Sequence, residues 1–520
     1  FTRRAWEEHV RQRIDEAGAR RAGAAWVLGP LSGGDAERSR SMRDELRAQY
    51  FDAYVEEWQQ FVRSVRMKTA RDEPEALALL EDLTRGDPPP LGRLLLAVDT
   101  NIHLPDPTPT TATTVATNGL LAALEERVRG RVGDDVANAA ADTLSDASGA
   151  PAAPQLTGDS VRTAFDGFVQ FGVAPPVESG SPPPVGLDVY QEQLAFLRDA
   201  LATHRDDPST GDQLMGRLQT ARTRVQSLIA EQPVGWRPLF ESLLWPPVDG
   251  AATTSSHAMA GTTARSWCSA VAVPFFSTLA GRYPFQDSGH DAAIADFAAF
   301  YRPGTGTVWN FYDQSLTGQV ERDGARFVFA TRLGRDAGSI YRSTLPLFLE
   351  RSGTISSAFF PPGASEPRVE MDVQVHPVPG AASVRFASGG TEIDYRNGPE
   401  SWTRVVWPGE RPDAGASIEV LGANGLQERI RQEGEWGLFR LMERASRVGG
   451  GGPGARRFVV TWRLPGHDLE VSIDVRLVRA ENPFFAPDDR RGRMLGPLRS
   501  VGVQAPRVIA AGEGECAVGR

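Results

Sequence analysis

The sequences VEMDVQV at residues 369–375 and LEVSIDVRL at residues 469–477 alternate apolar and polar side chains one by one. A third run of this kind, TEIDY, occupies residues 391–395. Successive side chains of a β-strand point to opposite faces of the sheet, so strict alternation predicts strands with one buried and one exposed face. We therefore expect residues 368–483 to consist of half-buried strands.

Short turn sequences separate these runs. Asn-Gly-Pro at 397–399, Asn-Gly at 424–425 and Pro-Gly at 465–466 supply the backbone angles that tight reversals need. Their spacing predicts an antiparallel β-sandwich of roughly eight strands. One inserted helix is predicted at residues 435–448, where apolar residues recur at helical spacing.

The rest of the chain is predicted to be helical, because its apolar residues recur every three or four positions. The two prolines at 246–247 are expected to end one of these helices. The fold class is α+β: an N-terminal all-helical, bundle-like region precedes a C-terminal antiparallel β-sandwich with one inserted helix. We expect a helical domain at 1–104, a low-complexity insertion with weak helices at 105–185, a second helical domain at 186–365, the β-sandwich domain at 366–487 and an extended C-terminal tail at 488–520.

Net charge, the length of apolar runs and the two cysteines limit which partners and which cellular compartment fit this chain. The chain has 520 residues and a formal net charge of −10, which argues against a nucleic-acid partner. No run approaches the roughly 18 apolar residues of a membrane helix. Cys268 follows Trp267 in a helical pattern and is expected to be a buried thiol. A bridge to Cys516 is compatible with an oxidising compartment, and the sequence leaves both possibilities open.

The search for catalytic and metal-binding motifs is negative. The seven histidines never occur four residues apart, so no zinc-binding HExxH helix is present. Ser288, His290 and Asp291 lie too close along the chain to form a triad, and Ser288 is better placed to cap a helix at 291–301. We therefore expect no enzymatic activity, no metal and no cofactor.

Several phrases resemble, in order and spacing, the periplasmic C-terminal region of the TssM (IcmF-like) proteins of bacterial type VI secretion systems. They are LAGRYPF at 279–285, ADFAAFY at 295–301, AFFPPG at 358–363, YRNGP at 395–399, EGEWGLFRLM at 433–442 and NPF at 482–484. This resemblance implies a structural subunit of an envelope-spanning complex. The family usually ends soon after the NPF phrase, so the longer tail of this chain is a departure.

The resemblance also implies partners and a location. The expected partners are an outer-membrane lipoprotein (TssJ-like) that docks to the β-domain, an inner-membrane TssL-like subunit bound through a part that precedes this chain, and further copies that form a ring or channel. The chain is then a periplasmic segment of an inner-membrane protein, and transmembrane helices are expected upstream of Phe1.

Charged residues on the outer strand faces are the candidate partner-binding site, although a solvated face is the plainer interpretation. The candidates are Arg385, Glu392, Asp394, Arg396 and Arg404. Two other functions stay open. One is a secreted glycan-active enzyme with a β-sandwich carbohydrate module, which predicts an exposed aromatic platform and two facing carboxylates. The other is an IcmF-type accessory of type IVB secretion.

Overall fold

A computed structural model of the chain describes residues 1–23, 33–105, 158–173, 184–333, 335–452, 454–464, 466, 469–486 and 493–517. These residues pack as two compact units, Phe1–Ser255 and Ser256–Arg520. The described part of the predicted insertion at 105–185 contains one helix, Gly158–Val169, and the remainder lies outside the described residues. The predicted division into five segments stays a prediction.

The first unit is helical, as the spacing of its apolar residues predicts. Helix α1 consists of the consecutive segments Arg3–Ala5, Trp6–Val10 and Arg11–Gly23, and the side chain of Thr2 caps it by accepting a hydrogen bond from the backbone N–H of Ala5. The helices that follow are α2 (Gly33–Ser64), α3 (Glu73–Thr84), α4 (Pro90–Ile102), α5 (Gly158–Val169), α6 (Gly186–Asp206) and α7 (Gly211–Ala230). Within this unit α1 packs on α2, α4 on α5, and α6 on both α3 and α7.

Helix α8, Arg237–Trp267, contains the boundary between the units and corrects one prediction. Pro246 and Pro247 lie inside this helix and do not end it. A proline removes one backbone hydrogen bond, but Leu244 and Val248 on either side of the pair are fully buried. Their packing offsets the missing hydrogen bonds, so the helix continues.

The second unit begins with further helices and two short hairpins. The continuation of α8 through Cys268–Ala272, Val273–Phe275 and Phe276–Ala280 is followed by α9 (Ile294–Tyr301) and α10 (Thr307–Phe311, extended by Tyr312–Leu316). Strands β1 (Val320–Asp323) and β2 (Arg326–Phe329) form one hairpin, and β3 (Thr331–Arg332) and β4 (Arg335–Asp336) form the other. Helix α11, Thr344–Phe359, then leads into the sandwich.

The sandwich confirms the predicted α+β class. Its strands are β5 (Val369–Val375), β6 (Ser383–Ser388), β7 (Thr391–Tyr395), β8 (Thr403–Trp407), β9 (Ala416–Gly422), β10 (Gly425–Gln432), β11 (Arg447–Gly449), β12 (Arg457–Leu464) and β13 (Leu469–Leu477). In the described residues they form a four-stranded sheet, ordered β10-β9-β6-β7, and a five-stranded sheet, ordered β11-β12-β13-β5-β8. Every pairing is antiparallel. The inserted helix α12, Gly437–Glu443, is shorter than predicted because β11 begins at Arg447.

The core of the sandwich follows from the alternation. Strand β5 buries every second residue, from Val369 to Val375, and the inner residues of both sheets belong to one apolar cluster. Each fully buried aliphatic or aromatic side chain of this cluster stabilises the fold by roughly 2 kcal/mol. Trp436 of the inserted segment is fully buried in the same cluster, and its ring centroid lies 4.5 Å from that of Trp407. The inner faces are therefore fully used, and only the outer faces and edges of the sheets remain for a partner.

The segment predicted to be an extended tail contains helix α13, Gly496–Gln504, and packs on the helical part of the second unit. Leu498, Val501 and Ile509 are fully buried there. The backbone N–H of Arg342 donates to the carbonyl of Ile509 at 2.7 Å. A tail rich in glycine and proline has little helix propensity, so the buried apolar residues explain why this part of it is helical.

Candidate interaction site

The residues predicted to bind a partner lie on different sheets of the sandwich. Arg385 on β6, Glu392 and Asp394 on β7, and Arg396 just after β7 belong to the four-stranded sheet. Arg404 belongs to β8 of the five-stranded sheet. Arg396 pairs with Asp394 at 2.9 Å. Because both sheets turn their apolar side chains into one core, the two groups of charged side chains are on opposite outer faces.

On the four-stranded face, charges of alternating sign lie opposite each other across the strands. Arg429 on β10 is opposite Glu419 on β9, and Glu419 is opposite Arg385. Arg385 is in turn opposite Asp394. Nε of Arg385 also lies 2.7 Å from a carboxylate oxygen of Glu392. Each cation of this row has an anion beside it, so the row is neutralised within the chain.

On the five-stranded face the corresponding row is not alternating. Arg404 on β8 lies opposite Asp372 on β5, and Asp372 lies opposite Arg476 on β13. Arg476 lies opposite Arg457 on β12. Three cations therefore share a row with one anion, and two of the cations face each other directly, an arrangement that is unfavourable by itself.

Acidic side chains beneath these arginines hold them in place. Arg404 donates to Asp372 at 2.6 Å, and Arg476 donates to the other oxygen of Asp372 at 3.0 Å. Arg457 pairs with Asp474. The exposed side-chain fractions of Arg404, Arg476 and Arg457 are 50, 49 and 63%, whereas those of Asp372 and Asp474 are 16 and 6%. Solvent therefore meets mainly guanidinium groups along this row.

An aromatic ring completes the row. Trp402, just before β8, has its ring centroid 4.5 Å from the guanidinium carbon of Arg476 and 5.4 Å from that of Arg457. A tryptophan ring attracts cations through its electron-rich face, so it offsets part of the repulsion between the two arginines. Trp402 lies outside the apolar core cluster and is half-buried on the outer face. We call Trp402, Arg404, Arg457 and Arg476 the arginine–tryptophan face.

The electrostatics of this face agree with its geometry. The hydrogen bond from Arg404, reinforced by Arg476, lowers the pKa of Asp372 below its ordinary value. The same hydrogen bond raises the pKa of Arg404. Asp372 is thus held in its charged form, which keeps both arginines in position.

Sequence reasoning identified only Arg404 of this face as a candidate. Arg476 and Asp372 were recognised only as polar positions of alternating strands, and Trp402 and Arg457 were not singled out. The missing information was the register, because residues separated by up to 104 positions become neighbours only when the strands pair. A tryptophan at a polar position beside a strand is a signal that could have identified the face.

A second polar cluster joins the sandwich to the helices of the same unit. Asp291 accepts a hydrogen bond from Nε of Arg440 at 3.1 Å and another from the backbone N–H of Trp436 at 3.3 Å. The guanidinium of Arg440 stacks 3.8 Å above the centroid of the Tyr283 ring. Gly434 has a φ of +87°, and a side chain there would collide with the carboxylate of Asp291. We call this cluster the Asp291 junction.

The junction corrects the prediction for Ser288. Helix α9 begins at Ile294, and its N-cap residue is Ala293, whose side chain cannot accept a capping hydrogen bond. The backbone N–H of Ile294 instead donates to the carboxylate of Glu435 at 2.8 Å, and the hydroxyl of Ser288 accepts from the backbone N–H of His290. Asp291 therefore has a structural role in the described residues, since its carboxylate is bonded to Arg440.

The two cysteines are joined. Cys268, expected to be a buried thiol, forms a disulfide with Cys516, with 5.5 Å between their Cα atoms. Nε1 of Trp267 donates to the carbonyl of Pro506 at 2.9 Å, and Arg265 lies 3.9 Å from Glu513. The bridge and these contacts attach the tail to the end of helix α8.

One groove of the second unit has a volume of about 740 Å³ and lies beside α10 and the loop after α11. Trp309 and Tyr312 line it, as do two carboxylates, Asp313 and Glu481. Glu481 is paired with Arg479 at 3.1 Å. Among the described residues, no group of three or more His, Cys, Asp or Glu side chains could hold a metal ion. None of the helices described is both long and apolar enough to span a bilayer.

Three family models match the chain, one after another. The model described as "Intracellular multiplication and human macrophage-killing" matches residues 1–103, the Type VI secretion protein IcmF helical domain matches residues 258–349, and the Type VI secretion protein IcmF C2-like domain matches residues 371–477. The last match covers the greater part of the sandwich, including Asp372, Trp402, Arg404, Arg457 and Arg476.

Relatives were found among curated proteins and solved structures. The chain is 24% identical over 480 residues to the Type VI secretion system component TssM1 of Pseudomonas aeruginosa, a match that covers 88% of the chain and 40% of that relative. The chain thus spans two fifths of the length of this relative.

A chain of the structure titled "Type VI secretion system membrane core complex" superposes with a TM-score of 0.66 at 18% identity, covering 99% of this chain and 90% of the other. A chain of the structure titled "Type VI membrane complex" gives a TM-score of 0.64 at 17% identity, covering 100% of this chain and 87% of the other. These likenesses establish a shared fold. The three consecutive family models and the relative among curated proteins show that this chain is a TssM/IcmF-like protein.

Proposed function

We propose that this chain is part of a structural subunit of a type VI secretion membrane complex. The observation that carries the proposal is the ordered match of three IcmF-type family models, which extend from the first helix to the last strand of the sandwich. In this proposal the chain performs no reaction. The pairing of Glu481 with Arg479 supports that view, because a carboxylate engaged in an ion pair is poorly placed as a general acid.

The β-sandwich at 366–487 is proposed to dock to an outer-membrane lipoprotein of the TssJ type. The inner faces of both sheets are used by the core, whereas the outer faces carry charged rows and remain accessible. Non-obligate interfaces are about as polar as the rest of a protein surface, and tryptophan and arginine are enriched among the residues that dominate their binding energy. Further copies of the chain, which would form a ring or channel, and an inner-membrane TssL-like subunit belong to the same proposal.

The proposed location is the periplasm, as part of a protein anchored in the inner membrane. The Cys268–Cys516 disulfide supports it, because disulfides persist in oxidising compartments and are rare in the cytosol. A thiol-alkylation assay on intact cells and on periplasmic extracts tests this location. We expect both cysteines to resist alkylation until a reductant is added. Free thiols in freshly extracted protein would contradict a periplasmic location.

Co-purification tests the docking. The chain of residues 1–520 is produced in the periplasm with the lipoprotein encoded beside the same secretion genes, and the lipoprotein is purified by an affinity tag. We expect the chain to be retained, and also a version restricted to the second unit, residues 256–520. Retention of neither, with the sandwich folded by circular dichroism, would refute the docking.

An accessory role in type IVB secretion is the second candidate. It is favoured by one observation, the description "Intracellular multiplication and human macrophage-killing" of the model that matches residues 1–103. The genes beside this one distinguish the two candidates, and neighbouring genes for other type VI components would favour the first. Neighbouring genes of the type IVB class, without those components, would favour the second candidate.

A further inference from the structure

We infer that the arginine–tryptophan face is the docking surface of the sandwich, and that it binds an acidic segment of the partner protein. This inference rests on the proposed function for the identity of the partner, the outer-membrane lipoprotein. It adds which of the two outer faces binds and which chemistry the partner must present. The lipoprotein is expected to offer a loop or strand with at least two carboxylates.

The first argument is the charge that a partner meets. About half or more of each guanidinium side chain is exposed in this row, with 50% for Arg404, 63% for Arg457 and 49% for Arg476. Asp372 and Asp474 lie beneath them and are 16 and 6% exposed. A partner approaching this face therefore contacts guanidinium groups before it contacts any of these carboxylates. Charge complementarity then favours an acidic segment, which speeds association and selects against basic partners.

The second argument is the unused hydrogen-bonding capacity of the arginines. A guanidinium has five N–H donors in a planar fork. In the described part of the chain, the bonds of Arg476 to side chains use its Nε and one Nη2 donor, both on Asp372. Arg457 directs its Nη2 group to Asp474. Donors remain on both side chains for the paired oxygens of a carboxylate, the geometry that arginine binds best.

The third argument is the position of Trp402. A large aromatic side chain that lies outside the apolar core and is only partly buried is well suited as the anchor of an interface. Tryptophan and arginine are the residue types most enriched among the residues that dominate binding energy. Trp402 lies next to the two arginines that face each other, so a carboxylate bound there would also relieve their repulsion.

The outer face of the four-stranded sheet provides the comparison that decides which of the two outer faces binds the partner. Its row alternates in sign, from Arg429 through Glu419 and Arg385 to Asp394. A charged segment of either sign would meet both attraction and repulsion on that row. The predicted candidates Arg385, Glu392, Asp394 and Arg396 therefore belong to the less suitable face, and Arg404 to the face that we assign.

The test compares matched double variants of the chain of residues 1–520. Arg457→Gln with Arg476→Gln removes two cations from the assigned face, while Asp372 keeps its bond to Arg404 and a glutamine amide can still bond Asp474. Arg396→Gln with Arg429→Gln is the control on the opposite face, where these side chains are 79 and 47% exposed. Binding to the lipid-free lipoprotein of the same secretion system is measured by biolayer interferometry at about 50 and 300 mM salt.

We expect the double variant of the assigned face to bind at least about tenfold more weakly at low salt, with a reduced salt dependence, and the control to stay within about twofold of the wild type. Trp402→Ala should weaken binding comparably, and circular dichroism confirms that each variant is folded. Equal effects on both faces, or an effect of the control alone, would overturn the assignment while leaving the docking intact. Absence of binding by the wild type would instead refute the docking itself, and the assignment with it.

Discussion

Arg457 and Arg476 lie directly opposite each other on neighbouring strands β12 and β13, and both guanidinium groups are close to the ring of Trp402. Two cations in this position repel each other, so the fold must compensate for them locally. Asp474 pairs with Arg457, and Asp372 pairs with Arg476. The ring of Trp402 attracts both guanidinium groups. This arrangement leads to the first two predictions.

Trp402→Ala is expected to lower the free energy of unfolding by about 1 kcal/mol, because the stacking of the ring on both arginines is lost. Urea denaturation of wild type and variant measures the change. Trp402→Phe is the matched control and should retain most of the stability, since a phenyl ring also attracts cations. A phenylalanine variant as unstable as the alanine variant would show that the stacking contributes nothing.

The stability contribution of Asp372 is expected to depend on pH. Its pKa is lowered by Arg404 and Arg476, so the folded state favours the charged carboxylate. A lowered pKa stabilises the fold above the ordinary value for aspartate, about 3.9, and this contribution disappears as the pH falls toward the folded-state value. Urea midpoints of wild type and Asp372→Asn, measured from about pH 7 down to about pH 2.5, should therefore converge at the acidic end.

Asp413→Asn, at an exposed position, is the control for this series and should follow the wild type at every pH. A constant difference between wild type and Asp372→Asn across the range would mean that the carboxylate acts through shape and not through charge.

Cys268→Ala with Cys516→Ala is expected to lower the free energy of unfolding by roughly 2–5 kcal/mol, because the bridge joins residues 248 positions apart and restricts the unfolded chain. The urea midpoint of the double variant should match that of the wild type in reductant. Limited proteolysis should also cleave the tail faster in the variant, since its last residues then rely on contacts such as Trp267 to Pro506. A wild-type midpoint that reductant leaves unchanged would contradict this role.

The Asp291 junction is expected to contribute more than any exposed ion pair. Asp291 and Arg440 expose only 19 and 16% of their side chains, so Asp291→Ala leaves a largely buried guanidinium without its partner. We expect a loss of about 3 kcal/mol in the free energy of unfolding. Asp394→Ala, which breaks the exposed pair with Arg396, is the control and should cost less than about 1 kcal/mol. Similar losses in both variants would show that the Asp291–Arg440 pair stabilises the fold no more than an exposed ion pair does.

Much of the fold could be predicted from local patterns. Strand β5 alternates buried and half-buried residues in the order that VEMDVQV indicates, and the helices of both units follow their apolar spacing. The errors occurred where tertiary packing overrides local preference. Pro246 and Pro247 are tolerated inside α8 because Leu244 and Val248 are buried, and the glycine-rich tail forms α13 because Leu498 and Val501 are buried.

The candidate site was predicted less well, for a related reason. Sequence reasoning could place Arg385, Asp394 and Arg404 on outer strand faces, since alternation assigns each strand an inside and an outside. It could not place Arg404 apart from the other candidates, because the sheet to which a strand belongs depends on long-range pairing.

The sequence by itself determined the α+β class, the alternation that fills the sandwich core and the family likeness carried by phrases such as EGEWGLFRLM at 433–442. These are local properties, set by side-chain spacing and turn residues. Only the tertiary structure decided that Trp402, Arg457 and Arg476 meet on one face and that Cys268 reaches Cys516. Such contacts join residues far apart in the chain, and their positions depend on strand register and on the packing of the whole unit, which no local pattern encodes.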